Sequence, residues 1–125
     1  MDGNIQQKYS KIRADLYTKG DCILHLDSDA FVLHEVKYEN IFHLGKPALP
    51  FRRYREEAVG LTTILCWQNA TSSLVGEDVA HEFSMFNTHV YPRQMYPALR
   101  KFVQERHGKS FVKFMSTRIG KCTSP

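Results

Sequence analysis

Asp27 and Asp29 follow a short apolar run and are the sharpest chemical signal in the sequence. The run, Cys22–Leu26, is typical of a buried strand, so both carboxylates fall where that strand ends. Residues i and i+2 of an extended segment point the same way, so these two carboxylates can approach one cation. Such hard oxygen ligands suit Mg²⁺ or Mn²⁺, which often bridge to phosphate oxygens. The sequence therefore predicts a divalent-metal site on Asp27 and Asp29.

Three arginines, Arg52, Arg53 and Arg55, form a second chemical cluster. Planar guanidinium groups bind a diphosphate through paired, charge-assisted hydrogen bonds, so we predict phosphate contact for this cluster. The alternative is a surface cluster that pairs with Glu56 and Glu57, because exposed ion pairs of that kind are common.

Basic residues are concentrated in the last third of the chain. From Arg93 onward there are eight basic residues and a single acidic one, Glu105, whereas the first 92 residues hold nine basic and twelve acidic residues. Such a segment can contact a polyanion, because neutralised anionic groups release counterions. The alternative is a solvated helix face followed by a tail, because no aromatic residues interleave with the basic ones as in a nucleic-acid module.

Helices and strands must position these candidate residues. The spacing of hydrophobic residues and the turn residues predict where those elements lie. The predicted elements are a helix from about Ile5 to Leu16, a strand over Cys22–Leu26, a helix between Glu56 and Leu74 ended by Gly76, an extended segment over Phe83–Val90, and a helix from about Tyr96 to His107 ended by Gly108. A helix followed by a buried strand favours an α/β domain with a small, mostly parallel sheet flanked by helices. We predict one domain over residues 1–115 and a disordered tail over 116–125.

The length and composition exclude several classes of protein. A chain of 125 residues has room for one ordinary domain. It contains no apolar run of the roughly 20 residues that a membrane span needs, and its first residues lack the order of a secretion signal. We therefore expect no membrane span and a cytoplasmic location by default. Three widely spaced cysteines, an odd number, argue against a disulfide framework.

Four stretches then occur in a recognisable order: Ile23–Phe31, Gly45–Pro50, Trp67 with Gly76, and Val90–Arg93. Together they resemble an uncharacterised glycosyltransferase-like family with the GT-A type of nucleotide-sugar-binding fold. The resemblance runs from about Gln6 to Gly108, and the Asp pair is its most specific part.

The resemblance implies a fold and an activity. It implies a partial GT-A-like, Rossmann-like domain, a fragment of such a transferase, that moves a sugar from a nucleotide-sugar donor to an acceptor. In that family the matching Asp pair binds a divalent cation, Mn²⁺ or Mg²⁺, that holds the donor's diphosphate; here the role falls on Asp27 and Asp29. The metal would stabilise charge on the departing diphosphate. The expected partners are the donor and an acceptor, with no nucleic acid.

Two other functions stay open. One is a non-catalytic module that binds an anionic partner through the basic C-terminal third. The other is a phosphatase in which Asp27 is the nucleophile and Asp29 the general acid and base. Phe31 counts against the phosphatase. The Asp-x-Asp motif of haloacid-dehalogenase-type phosphatases normally continues with a small turn residue and Thr or Val, where this chain has Ala30 and Phe31.

Overall fold

A computed structural model of the chain describes residues 3–54, 62–83 and 88–118, and every structural statement below concerns those residues. The helices are α1 (Gly3–Ile12), α2 (Tyr38–Ile41), α3 (Thr62–Val75), α4 (Met95–His107) and α5 (Phe111–Arg118), and a 3₁₀ turn spans Ala14–Leu16. The strands are β1 (Cys22–Leu26), β2 (Phe42–His43), β3 (Lys46–Pro47), β4 (Arg52–Arg53), β5 (His81–Glu82) and β6 (Thr88–Pro92).

The strands form three separate antiparallel pairs, β1 with β6, β2 with β3, and β4 with β5. The longest pair aligns Cys22 with Pro92 and Leu26 with Thr88. The other two pairs join two residues on each strand. The β1–β6 pair is therefore the main sheet of the described chain, and it lies against the start of α4.

The predicted parallel sheet is wrong, and with it the GT-A-like, Rossmann-like fold. Every strand pair in the described ranges is antiparallel. The physical reason lies in β1, where Ile23 is buried but Leu24 and Leu26 are nearly half exposed. An apolar run is typical of a strand covered on both faces, whereas this strand is covered on one face only.

The local elements agree better with the sequence. The predicted strand has the bounds of β1, and the first predicted helix corresponds to α1 followed by the 3₁₀ turn. The helix predicted to end at Gly108 is α4, and Gly108 adopts φ 60° while its N–H donates to the carbonyl of Gln104. That left-handed conformation is the one that favours glycine after a helix.

The core lies between the last two helices. Val103 of α4 is fully buried and contacts Phe111 and Phe114 of α5. Partly buried apolar side chains from α1, α3 and the same two helices pack against this cluster: Ile12, Leu74, Leu99 and Met115. Because α1, α3, α4 and α5 all contribute, this cluster joins the helices into one unit.

Helix α3 ends as predicted, at Gly76, which has φ 82°. The guanidinium of Arg106 occupies the space that a side chain at Gly76 would need. Cys66 on this helix is disulfide-bonded, which the spacing of the cysteines did not predict, and Cys22 on β1 is a free thiol. Residues 55–61, the start of the region predicted to hold this helix, lie outside the described ranges.

Two further features bear on the domain organisation. Helix α5 continues to Arg118, past residue 116 where the tail was predicted to begin, and residues 119–125 lie outside the described ranges. None of the helices described here has the length and apolar character that crossing a membrane requires.

Candidate functional site

Asp27 lies just after β1 and forms an ion pair with α1. Its Oδ1 accepts a hydrogen bond from Nζ of Lys11 at 2.8 Å, and the two side chains are 35% and 38% exposed. The hydrogen bond and charge of Lys11 hold the pKa of Asp27 below its ordinary value of 3.8. Asp27 is therefore ionised at neutral pH, but a cation already occupies one of its oxygens.

Asp29 lies two residues further on, in a turn rather than in a strand. The turn is closed by the N–H of Ala30, which donates to the carbonyl of Asp27 at 3.0 Å, and Asp29 is exposed. The alternation that would aim both carboxylates the same way applies to strands, so it does not govern this turn. No group of three or more His, Cys, Asp or Glu side chains within the described ranges is placed to bind a metal ion.

The arginines of the predicted phosphate-binding cluster have different environments. Nε of Arg52 donates to Oε2 of Glu82 at 2.7 Å, and this carboxylate is buried. Arg53 is the other residue of β4 and is exposed, and Arg55 lies outside the described ranges. Because a buried carboxylate needs its cation, Arg52 has a structural role in joining β4 to β5.

His25 and Tyr96 lie on the covered side of the β1–β6 pair. Nε2 of His25 is 2.6 Å from the hydroxyl of Tyr96 on α4. Burial, together with the charges of Lys11 and His89, lowers the pKa of His25 below its ordinary 6.5. Burial raises the pKa of Tyr96 to about 12. His25 therefore joins β1 to α4 through a hydrogen bond.

His89 faces His25 directly across the two strands. Its ring stacks on that of Tyr91, with the centroids 5.8 Å apart. Its Nδ1 is buried and has no hydrogen-bond partner in the described part of the chain. His89 thus lies within an aromatic layer between the strands and α4.

A further carboxylate, Asp15, is held by the fold and has no counterpart among the residues predicted from the sequence. Asp15, in the 3₁₀ turn, accepts two hydrogen bonds at 2.7 Å from the guanidinium of Arg100 on α4. The same guanidinium also donates to the carbonyl of Ile12 at 2.8 Å. This bidentate geometry lowers the pKa of Asp15 and raises that of Arg100. No local signal could reveal the pair, because the two residues are 85 positions apart.

Other basic residues of the C-terminal third remain at the surface. We call residues 93–118 the basic segment. Four of its side chains, all exposed, extend from α4, α5 and the loop between them: Lys101, Arg106, Lys109 and Lys113. Glu105 contacts Lys101 at 3.7 Å, and both side chains are more than half exposed, so this pair neutralises little of the charge.

A cavity of about 580 Å³ lies where the β2–β3 turn approaches the junction of β6 and α4. Lys46 and Arg93 line it, as do Asp15 and Asp21. The predicted metal ligands Asp27 and Asp29 lie elsewhere. The structure thus separates three features: the Asp27–Asp29 turn, the exposed cations of the basic segment, and this cavity.

Comparison with known proteins finds no matching family model, no matching curated protein and no matching solved structure for this chain. The function must therefore be argued from the residues themselves.

Proposed function

We propose that this chain is a binding module that contacts an anionic partner through the basic segment. The observation that carries the proposal is that its exposed side chains include Lys101, Arg106, Lys109 and Lys113, while Glu105 is the only acidic residue from Arg93 onward. Several like charges on adjoining elements give a positive potential that attracts polyanions and releases their counterions.

The ion pairs of the molecule decide which cations are free to bind. Arg100 is committed to Asp15 and to the carbonyl of Ile12, so it is a structural cation within the basic segment. Lys101 has only a weak, exposed contact with Glu105. The binding role therefore falls on the exposed lysines and Arg106 rather than on Arg100.

The test is fluorescence anisotropy with a labelled polyphosphate chain as the model polyanion, over a series of salt concentrations. The variant carries Lys101→Gln, Lys109→Gln and Lys113→Gln. A matched control removes three exposed lysines from elsewhere: Lys8, Lys19 and Lys37. We expect the slope of log affinity against log salt to shrink by about one for each lysine lost from the basic segment, and to change less in the control. Equal slopes and affinities in the two variants would reject the proposal.

Metal-dependent transfer of a sugar from a nucleotide donor is the second candidate. What favours it is that solvent reaches both Asp27 and Asp29 just beyond the end of β1. An exposed ion pair is weak, so a divalent cation is able to displace Lys11 from Asp27. The cation would be Mn²⁺ or Mg²⁺, and it would draw a diphosphate to this turn. Arg52 contributes little to such contact, because its Nε is held by Glu82.

Calorimetric titration with Mn²⁺ and a nucleoside diphosphate tests this candidate. Binding heat should be lost in Asp27→Asn and in Asp29→Asn, and kept in Asp78→Asn, which changes an exposed aspartate elsewhere. Lys11→Met should strengthen metal binding, because it removes the competing cation. Identical isotherms in the wild type and both Asp variants would eliminate the metal role.

A further inference from the structure

The cavity between β3 and α4 includes the start of the basic segment, Arg93, but none of its four exposed cations Lys101, Arg106, Lys109 and Lys113. Its volume, about 580 Å³, falls within the range of roughly 300 to 1,000 Å³ that small-molecule sites occupy. It is widely open to solvent, and its walls come from the β2–β3 turn, the start of β1 and the end of β6. A small organic molecule therefore fits it, whereas a bare inorganic ion would leave most of it empty.

The walls of this cavity are stiff. Pro47, Pro92 and Pro97 all line it, and each proline ring fixes its own backbone φ angle. The N–H of Arg93 donates to the carbonyl of Asp21 at 2.8 Å, which fixes the ends of β1 and β6 to each other. The backbone of the site is therefore constrained before a ligand enters, and the ordering cost falls on the exposed side chains of Lys46 and Arg93.

The charged groups of the cavity indicate which ligand it accepts. Neither Lys46 nor Arg93 makes a salt bridge or a side-chain hydrogen bond within the described ranges. Of the two carboxylates, Asp15 is already held by Arg100, which leaves Asp21. An arginine fork and an ammonium group that line the same cavity suit a phosphate, and an uncommitted carboxylate accepts hydrogen bonds from hydroxyl groups.

We propose that this cavity binds a small hydroxylated organic phosphate, with its phosphate group between Lys46 and Arg93 and a hydroxyl group on Asp21. The inference does not depend on the polyanion proposal: Arg93 begins the basic segment, but none of the side chains to which that proposal assigns binding, Lys101, Arg106, Lys109 and Lys113, lines this cavity. It also does not require a metal at Asp27.

The experiment is calorimetric titration of the full chain with ribose 5-phosphate, with ribose and inorganic phosphate as separate arms. The phosphate ester should bind, and both fragments should bind more weakly, because each satisfies only part of the site. Arg93→Gln and Lys46→Gln should each weaken ribose 5-phosphate binding by about tenfold or more. Lys8→Gln, which changes an exposed lysine of α1, should leave that binding unchanged.

Asp21→Asn sharpens the test, because it should weaken binding of the phosphate ester and leave binding of inorganic phosphate equal or tighter. Every substituted side chain is exposed; Asp21 is an anion and the others are cations. Circular dichroism checks that every variant folds. Three results would overturn the proposal: no binding of ribose 5-phosphate at millimolar concentration, equal binding by wild type and Arg93→Gln, or equal binding of the ester and inorganic phosphate. A failure here leaves polyphosphate binding by the basic segment unaffected, so the two proposals fail separately.

Discussion

The α4–α5 helix pair and the segment from Asp27 to Lys37 are packed in opposite ways. Val103 of α4 is 0% exposed, whereas Phe31 and Leu33 in the other segment are 87% and 83% exposed. The Asp motif chosen from the sequence thus lies at the start of the more loosely packed segment. An apolar sequence beside a chemical motif therefore does not guarantee a buried, pre-organised site.

The two regions also hold their carboxylates differently. Asp15 is bound by two hydrogen bonds to Arg100 where α4 meets the 3₁₀ turn, and its side chain is largely buried. Asp27 has one bond to Lys11, and both side chains are more than a third exposed. We infer that the first pair stabilises the fold, while the second can exchange its cation for another.

The largest expected effect separates the two regions by packing. Phe114→Ala should lower the free energy of unfolding by about 3 to 5 kcal/mol, because it opens a cavity beside Val103 and Phe111. Phe31→Ala should change it by less than about 0.5 kcal/mol, because that ring is already in solvent. Urea unfolding of both variants measures the difference. Similar losses in the two variants would contradict the packing described for these regions.

The next largest effect tests the pair of Asp15 and Arg100. Asp15→Asn removes the charge that Arg100 binds, and should lower the free energy of unfolding by about 1 to 3 kcal/mol at neutral pH. Asp27→Asn is the matched control, since it removes the carboxylate of the exposed pair and should cost less. A larger loss in Asp27→Asn would reverse the assignment of structural roles.

The same pair predicts a pH dependence. Arg100 holds the pKa of Asp15 below its ordinary 3.8, so in acid the unfolded chain takes up this proton before the folded chain does. The stability that the Asp15–Arg100 pair gives the fold is therefore fully present above the ordinary pKa of Asp15. It is lost as the pH falls through the lowered pKa. Unfolding followed from neutral pH into acid should show a smaller acid-dependent loss in Asp15→Asn than in the wild type. Identical acid profiles would contradict this account.

The smallest effect concerns the exposed pair. Lys11→Met should lower the free energy of unfolding by less than about 1 kcal/mol, because exposed ion pairs contribute little. It should also raise the pKa of Asp27 towards its ordinary value, since Lys11 is the main cause of the lowered pKa. An NMR titration of the Asp27 carboxyl measures that change, and an unchanged pKa would show that Lys11 is not its partner in solution.

Local sequence patterns predicted the local elements. The bounds of β1 and the helix that ends at Gly108 are confirmed, because apolar spacing and a capping glycine act within a few residues. The sheet was predicted wrongly, since the partner of β1 is a strand more than 60 positions away and pairs antiparallel. Nothing in the alternation of Cys22–Leu26 specifies that partner or its direction.

The site was less predictable than the elements, for a similar reason. Arg52 was a candidate for phosphate contact, but a carboxylate thirty positions away, Glu82, holds its Nε. The sequence showed the excess of cations after Arg93, but it could not show that Arg100 is committed to Asp15. The grouping of Lys46 with Arg93 is likewise a product of tertiary structure.

One side-by-side measurement tests the central claim, that the exposed lysines of the basic segment, and not the Asp27–Asp29 turn, give this chain its binding function. Polyphosphate affinity is compared in the Lys101, Lys109 and Lys113 triple variant and in an Asp27→Asn, Asp29→Asn double variant. We predict that the lysine variant binds more weakly with a flatter salt dependence, while the aspartate variant binds at least as tightly as the wild type. Loss of binding in the aspartate variant, with full binding in the lysine variant, would contradict the claim.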